Sequence, residues 1–122
     1  MERILVVNDE SDLVTICEVV LEEAGYEVDA LTDGRNALEL ARRTCPDLVI
    51  LDWIMKEPKG EDVLRQLRTD PATARIPVLM VSAIHDGEIT ARTYGTEGFL
   101  KKPFTAEASL SAVHGVLPSL PV

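Results

Sequence analysis

The 122-residue sequence holds only two cysteines, Cys17 and Cys45. They are too few and too irregularly placed for a disulfide framework or a zinc site, so both are expected as free thiols in a reducing compartment. No run of about 18 apolar residues occurs, which excludes a hydrophobic membrane-spanning helix. Met1-Glu2-Arg3 leads straight into a short apolar stretch, with neither a charged leader nor a cleavage-like site, and the expected location is cytoplasmic. Basic residues are scarce: 12 Lys and Arg against 21 Asp and Glu leave a formal charge of −9, which repels phosphate backbones and anionic lipid. Direct binding to nucleic acid or to a membrane is therefore not expected, whereas a cation or a partner with a basic patch suits that charge. Internal repeats, low-complexity segments and an interdomain linker are also absent. What is present is 46% hydrophobic residues, enough for one core, so residues 1–122 read as a single domain with its core at about 3–117. With only Pro118–Val122 after the last helix, no output domain is expected.

Apolar runs of strand length lie at Ile4–Val7, Leu48–Leu51 and Val78–Val81. They are continuous, as expected for strands covered by helices on both faces. Shorter strands fit Tyr26–Ala30 and Gly98–Leu100. Between them Leu13, Ile16, Cys17, Val20, Leu21 and Ala24 repeat with helical spacing, and Gly25 is placed to stop the helix. Further helical patterns use Ala37, Leu38 and Ala41 before Pro46, and Val63, Leu64 and Leu67 before Pro71. Another helix is expected over Asp86–Tyr94. The last starts after Thr105 as N-cap and buries Leu110, Val113 and Leu117 despite Gly115. Five strands alternating with five helices predict an α/β, three-layer, doubly wound (βα)5 fold with a parallel five-stranded sheet, for which the flavodoxin-like order 2-1-3-4-5 is the expectation.

The chemistry collects where the apolar runs end. The first strand finishes in Asn8-Asp9-Glu10, the third in Asp52, the fourth in Ser82 and the fifth in Lys101-Lys102-Pro103. In a parallel sheet these ends share one rim, and ligands bind where the strand order reverses. Taken singly, an aspartate after a strand is most often a turn former or helix cap. Together, two carboxylates, a hydroxyl and an ammonium would converge. Close carboxylates repel, and a divalent cation with hard oxygen ligands and retained water, Mg²⁺, relieves that repulsion. A carboxylate can also attack phosphorus and form an acyl phosphate.

At these residues the sequence resembles the receiver domain of two-component response regulators, of the kind that includes chemotaxis regulators. The likeness runs from residue 3 to about 117. Ile4-Leu5-Val6-Val7-Asn8-Asp9-Glu10 resembles the first strand and acidic pocket, and Pro46–Asp52 with Gly60 the phosphoacceptor strand and its loop. Ile76–Ala83 resembles the strand ending in the Ser-Ala pair. Gly98-Phe99-Leu100-Lys101-Lys102-Pro103-Phe104 resembles the Lys-Pro signature, in which the peptide before Pro103 is expected to be cis. The resemblance implies Asp52 as phosphoacceptor, with Asp9, Asp52 and the Ile54 carbonyl on Mg²⁺ and Asn8 contacting it through water. Ser82 and Lys102 would engage the phosphoryl oxygens, with backbone contacts at Ile54 and Ala83, and Ser82 and Phe99 would switch. Alternation points Lys101 and Lys102 to opposite faces, and Lys102, which directly precedes Pro103, is the choice. A sensor histidine kinase or phosphotransfer protein is the implied donor. A downstream protein, or a second copy of the chain, is the implied reader at the face of the fourth helix, fifth strand and fifth helix. The domain would catalyse only its own phosphorylation and dephosphorylation.

Three departures from the family pattern stand out. Asn8 replaces a usual carboxylate; one charge fewer about 5 Å from a cation changes the interaction by roughly 3 kcal/mol at an effective dielectric of 20, before screening. Lys56 stands where proline is usual, with a solvated loop lysine as its plain reading. Ile54 and Ile84 flank the expected path of hydrolytic water, and such stiff apolar side chains predict slow self-dephosphorylation. Trp53, the sole tryptophan, adjoins Asp52 and its fluorescence should report metal binding. His85 and His114 lack metal-ligand spacing and read as surface or helix residues. Two other readings compete: a pseudo-receiver that binds partners without phosphorylation, and a flavin or nucleotide binder. The second would need a phosphate-cradling loop where Asn8-Asp9-Glu10-Ser11-Asp12 is acidic. A phosphatase with an aspartyl nucleophile would place a second Asp at the position held by Ile54.

Overall fold

A computed structural model describes residues 2–83 and 87–117. Its elements alternate as β1 (Arg3–Val7), α1 (Ser11–Glu23), β2 (Glu27–Leu31), α2 (Ala37–Thr44), β3 (Leu48–Asp52), α3 (Gly60–Thr69), β4 (Val78–Ser82), α4 (Gly87–Tyr94), β5 (Gly98–Lys101) and α5 (Ala106–Val116). All strand pairs are parallel and the order is β2-β1-β3-β4-β5, the doubly wound arrangement the sequence predicts. Ile84, His85, Asp86 and the tail 118–122, on which several expectations fell, lie outside the described residues.

The three continuous apolar runs become the central strands because each has to fill two cores. Leu5, Val7, Val49, Leu51, Val78 and Met80 point to one face and meet Ala37, Ala41, Val63, Leu64, Leu67 and Ala91 from α2, α3 and α4. Their neighbours Ile4, Val6, Leu48, Ile50, Leu79 and Val81 point to the other and meet Val14, Cys17 and Leu21 of α1 and Val113 of α5. Period-two alternation and burial on both sides thus explain why no polar residue interrupts these runs.

Two sequence expectations are corrected. β2 starts at Glu27, one residue late, because the Tyr26 N–H bonds the Leu21 carbonyl of α1 at 3.1 Å instead of joining the sheet. In α1 the buried stripe is Val14, Cys17 and Leu21, while Ile16 is 55% exposed and Ala24 lies outside the core. Apolar residues at 13, 14, 16, 17, 19, 20 and 21 cover more than half of the helix circumference, so periodicity alone does not choose the face. Gly25 does end α1, at φ +100, with its N–H on the Glu22 carbonyl. Thr105 caps α5 as expected, its hydroxyl accepting from the Ala108 N–H at 3.0 Å. Cys17 is buried and Cys45 exposed, both as free thiols.

A polar clamp that the sequence does not announce fixes β4. Arg68 on α3 donates to the carbonyls of Ile76 at 2.7 Å and Ala74 at 3.3 Å, and to Glu97 at 2.9 Å. The Glu97 carboxylate in turn accepts from the Val78 N–H at 2.7 Å. Among the described residues no helix is long and apolar enough to cross a membrane.

Candidate functional site

Between β1 and β3 the strand order reverses, and the connections leaving these strands diverge to opposite faces, which opens a crevice at their carboxyl ends. Val7 pairs with Leu51, so the chain emerges from β1 as Asn8-Asp9 beside Asp52 at the end of β3. Asp52 lies opposite Val81, and Ser82 opposite Lys101. The Lys102 N–H continues the ladder to the Ser82 carbonyl at 2.9 Å. Lys102 follows Leu100 by two and shares the α1–α5 face with Asp52, whereas Lys101 is turned away and exposed. The Lys102–Pro103 peptide is cis, as the resemblance implies; Glu57–Pro58 is cis as well, without a signal in the sequence reading.

Asp52 is 1% exposed, and its two oxygens have no hydrogen-bond partner among the described residues. The Lys102 ammonium stands 3.2 Å from Oδ1, an ion-pair distance with angles outside hydrogen-bond geometry. Burial pushes the Asp52 carboxyl above its ordinary value; Lys102 opposes this, and the charges of Asp9 and Glu10 reinforce it. For Lys102, burial favours the neutral amine, but the hydrogen bond to Glu10 and the charge of Asp52 outweigh it and the net shift is upward, so the side chain stays an ammonium. Lys102 is 17% exposed on its side chain and donates to Glu10 Oε1 at 2.9 Å.

The other candidate residues are placed as follows. Asn8 is buried, and its Oδ1 accepts from the Glu10 N–H at 2.9 Å, leaving one lone pair on that oxygen. Asp9 is half-buried, and its Oδ2 accepts from the Lys56 N–H at 3.3 Å, a bond that proline at position 56 could not make. Ser82 is fully buried and Ala83 exposed. Ile54 is 61% exposed, on the loop that follows Asp52. That loop is pinned by Gly60, whose N–H donates to the Trp53 carbonyl at 3.2 Å and whose missing side chain lets α3 abut the main chain of Asp52 and Trp53. Phe99 packs half-buried on the α3–α4 side, its ring directly over Gly87, where a Cβ would stand 2.4 Å from Cζ. Trp53 is buried, its ring 4.8 Å from that of Tyr94 on α4. His114 is exposed on α5, with its ring 6.4 Å from Tyr26. A groove of about 350 Å³ lined by Glu10, Leu13, Ala83, Lys102, Pro103 and Phe104 flanks the crevice.

Thus Asp9, Asp52 and Lys102 gather with Asn8 at one crevice, while Ser82, buried at the end of β4, lies by alternation on the α3–α4 side. Sequence reasoning assigned no role to Glu10; its available signal was an acidic residue and a lysine at strand ends on the same rim.

A flavodoxin-like sheet with this rim is the architecture of receiver domains. The family described as "Response regulator receiver domain" matches residues 4–114, and the chain belongs to it: it is a receiver domain of two-component response regulators. Among curated proteins it is 36% identical over 119 residues to the DNA-binding dual master transcriptional regulator RpaA of Synechocystis sp., covering 96% of this chain and 49% of that protein. It is 40% identical over 104 residues to the response regulator PleD of Caulobacter vibrioides, covering 83% and 23%. The chain spans about half the length of most of the curated relatives it matches. Among solved structures, the Vibrio cholerae chemotaxis protein CheY4 superposes with a TM-score of 0.88 at 30% identity, covering 95% of this chain and 98% of that one. A putative response regulator from Chloroflexus aurantiacus gives 0.87 at 29% identity, covering 96% and 98%.

Proposed function

We propose that Asp52 is the phosphoacceptor of this receiver domain and that Lys102 and Ser82 serve the transfer. The observation carrying this reading is the buried Asp52 carboxylate, with neither oxygen hydrogen-bonded among the described residues and an ammonium 3.2 Å away. An orphaned buried carboxylate is costly unless a ligand or reaction uses it. In the transfer, an Asp52 oxygen attacks the phosphorus of a phosphohistidine or a small acyl phosphate. The bond from phosphorus to the donor breaks with its electron pair, which leaves on the imidazole or carboxylate. Lys102 offsets charge on the phosphoryl oxygens and Ser82 donates a hydrogen bond to one of them; the backbone at Ile54 and Ala83 supplies further contacts. This is positioning and electrostatics more than covalent chemistry by the protein.

The donor set fits Mg²⁺. Asp9 and Asp52 supply carboxylate oxygens, Ile54 a backbone carbonyl, and Asn8 a free lone pair that suits a water-mediated contact. Among the described residues no three His, Cys, Asp or Glu groups form a metal cluster, so the set depends on amide and backbone oxygens for its remainder. When bound, the cation neutralises the paired carboxylates and the charge of the transferring group. Asn8, by lacking charge, lowers the affinity.

The same reading makes the domain cytoplasmic, with a sensor histidine kinase or phosphotransfer protein as donor. Ser82 and Phe99, which alternation places on the α3–α4 side, carry the switch to the α4–β5–α5 face, where a downstream protein or a second copy of this chain reads it. Asn8, already engaged by the Glu10 N–H, favours the pseudo-receiver as the second reading. A Mg²⁺ titration followed by Trp53 fluorescence separates them. A saturable change that weakens in Asp9→Asn, together with acetyl-phosphate labelling of Asp52, supports phosphoacceptor function; an unlabelled Asp52 with no metal response in wild type supports the pseudo-receiver.

A further inference from the structure

Glu10 occupies the N-cap position of α1, yet its side chain makes no capping bond. Its carboxylate instead reaches across the rim to the Lys102 ammonium at 2.9 Å, in hydrogen-bond geometry. The same ammonium lies 3.2 Å from Asp52 without that geometry, and Asp52 is left with both oxygens unbonded among the described residues. Glu10 is exposed, at 62% of its side chain, whereas Lys102 is largely enclosed. The better-formed bond of the lysine therefore goes to the outer, solvated carboxylate, away from the inner one.

We propose that Glu10 is a positioning residue that holds Lys102 in a standby orientation, and that its grip must be released before the ammonium can serve the phosphoryl group arriving on Asp52. This rests on Asp52 being the phosphoacceptor. A phosphoryl group brings two or more negative oxygens into the crevice and outbids a single exposed carboxylate, so Lys102 moves inward as the bond to phosphorus forms. Glu10 then sets a threshold that slows phosphorylation and, by recapturing Lys102, favours the resting state. Because Glu10 is exposed, the threshold is modest; loss of an exposed ion pair corresponds to a change of about two- to five-fold.

The test is the rate of Asp52 phosphorylation by acetyl phosphate with Mg²⁺ in full-length wild type, Glu10→Gln, Glu10→Asp, Lys102→Gln and the double variant Glu10→Gln/Lys102→Gln. Aspartate keeps the charge but is one methylene short of the ammonium, so it separates tethering from simple repulsion of the anionic donor. We expect Glu10→Gln and Glu10→Asp both to phosphorylate about two- to five-fold faster, and the gain to vanish when Lys102 is already glutamine. Equal rates in wild type and Glu10→Gln overturn the inference, as does a Glu10→Asp variant that behaves as wild type or a gain that persists without Lys102. Labelled wild type with unaltered variants sinks this inference alone. Absence of label in every protein sinks the phosphoacceptor reading with it.

Discussion

Replacing Gly60 by alanine probes how tightly the acceptor strand is built into the helix that follows it. A Cβ at this position would stand 2.6 Å from the Asp52 carbonyl oxygen, 2.6 Å from Trp53 Cα and 2.8 Å from the Trp53 carbonyl oxygen. All three are main-chain atoms at the end of β3, which is itself tied to β4 through the Trp53 N–H on the Val81 carbonyl at 2.9 Å. No rotamer change can relieve the clash; since carbon atoms pack best at about 3.5–4.0 Å, α3 and the strand end must part by about 1 Å. Helix propensity pulls the other way, but alanine's advantage of about 1 kcal/mol applies to a helix interior and is smaller at the first residue of α3. Overpacking costs about 1–3 kcal/mol and wins. The net loss of about 1–2 kcal/mol lowers Tm by about 4–8 °C for a domain of this size. Gly115→Ala is the control, because nothing lies within 4 Å of its Cβ, and it should be neutral or raise Tm by a few degrees. Calorimetry and urea unfolding of the three proteins give both shifts, and the rate of Asp52 labelling should fall only in Gly60→Ala. A Gly60→Ala protein as stable as wild type would refute the close-approach argument.

Asp52 makes a pH prediction. Its folded-state pKa is raised by burial, so its contribution to stability is present at acidic pH and is lost as pH rises through the raised value. With divalent cations chelated, Asp52→Asn should therefore be more stable than wild type at pH 7, and the gain should shrink as pH falls toward the ordinary aspartate value of 3.8; a pH-independent difference contradicts this. Arg68→Ala removes the donors that hold the Ile76 carbonyl and Glu97 and should cost about 1–3 kcal/mol in chemical denaturation, with labelling of Asp52 retained. Ile54→Asn replaces an exposed apolar side chain with one that can orient water, and should shorten the acyl-phosphate lifetime measured by decay of label; an unchanged or longer lifetime removes Ile54 from the account.

The fold was legible because β1, β3 and β4 are buried on both faces, which demands the uninterrupted apolar runs that a sequence displays openly. The strand order was the one usual for a flavodoxin-like fold, and the reversal it contains is what brings Asp9 beside Asp52. Alternation, a local property, shows that only one of Lys101 and Lys102 faces the crevice; the resemblance to the Lys-Pro signature pointed to Lys102, which shares the face of Asp52. What the sequence could not disclose depends on side-chain reach between distant elements. The Glu10–Lys102 bond spans 92 positions and the Arg68–Glu97 clamp 29, and neither pair lies on one helix or strand. The face of α1 was misjudged because its apolar residues wrap too far around the helix for periodicity to choose between Val14 and Ile16. Lys56 was read as an ordinary loop lysine, yet its contribution at the site is its backbone N–H on Asp9, which no side-chain pattern encodes.

The most direct test is mass spectrometry of the protein after treatment with acetyl phosphate and Mg²⁺, with Asp52→Asn treated in parallel. A single phosphoryl increment that maps to Asp52 and is absent from Asp52→Asn is the predicted result. An unlabelled wild type, or a label that persists in Asp52→Asn, would contradict the assignment of the acceptor.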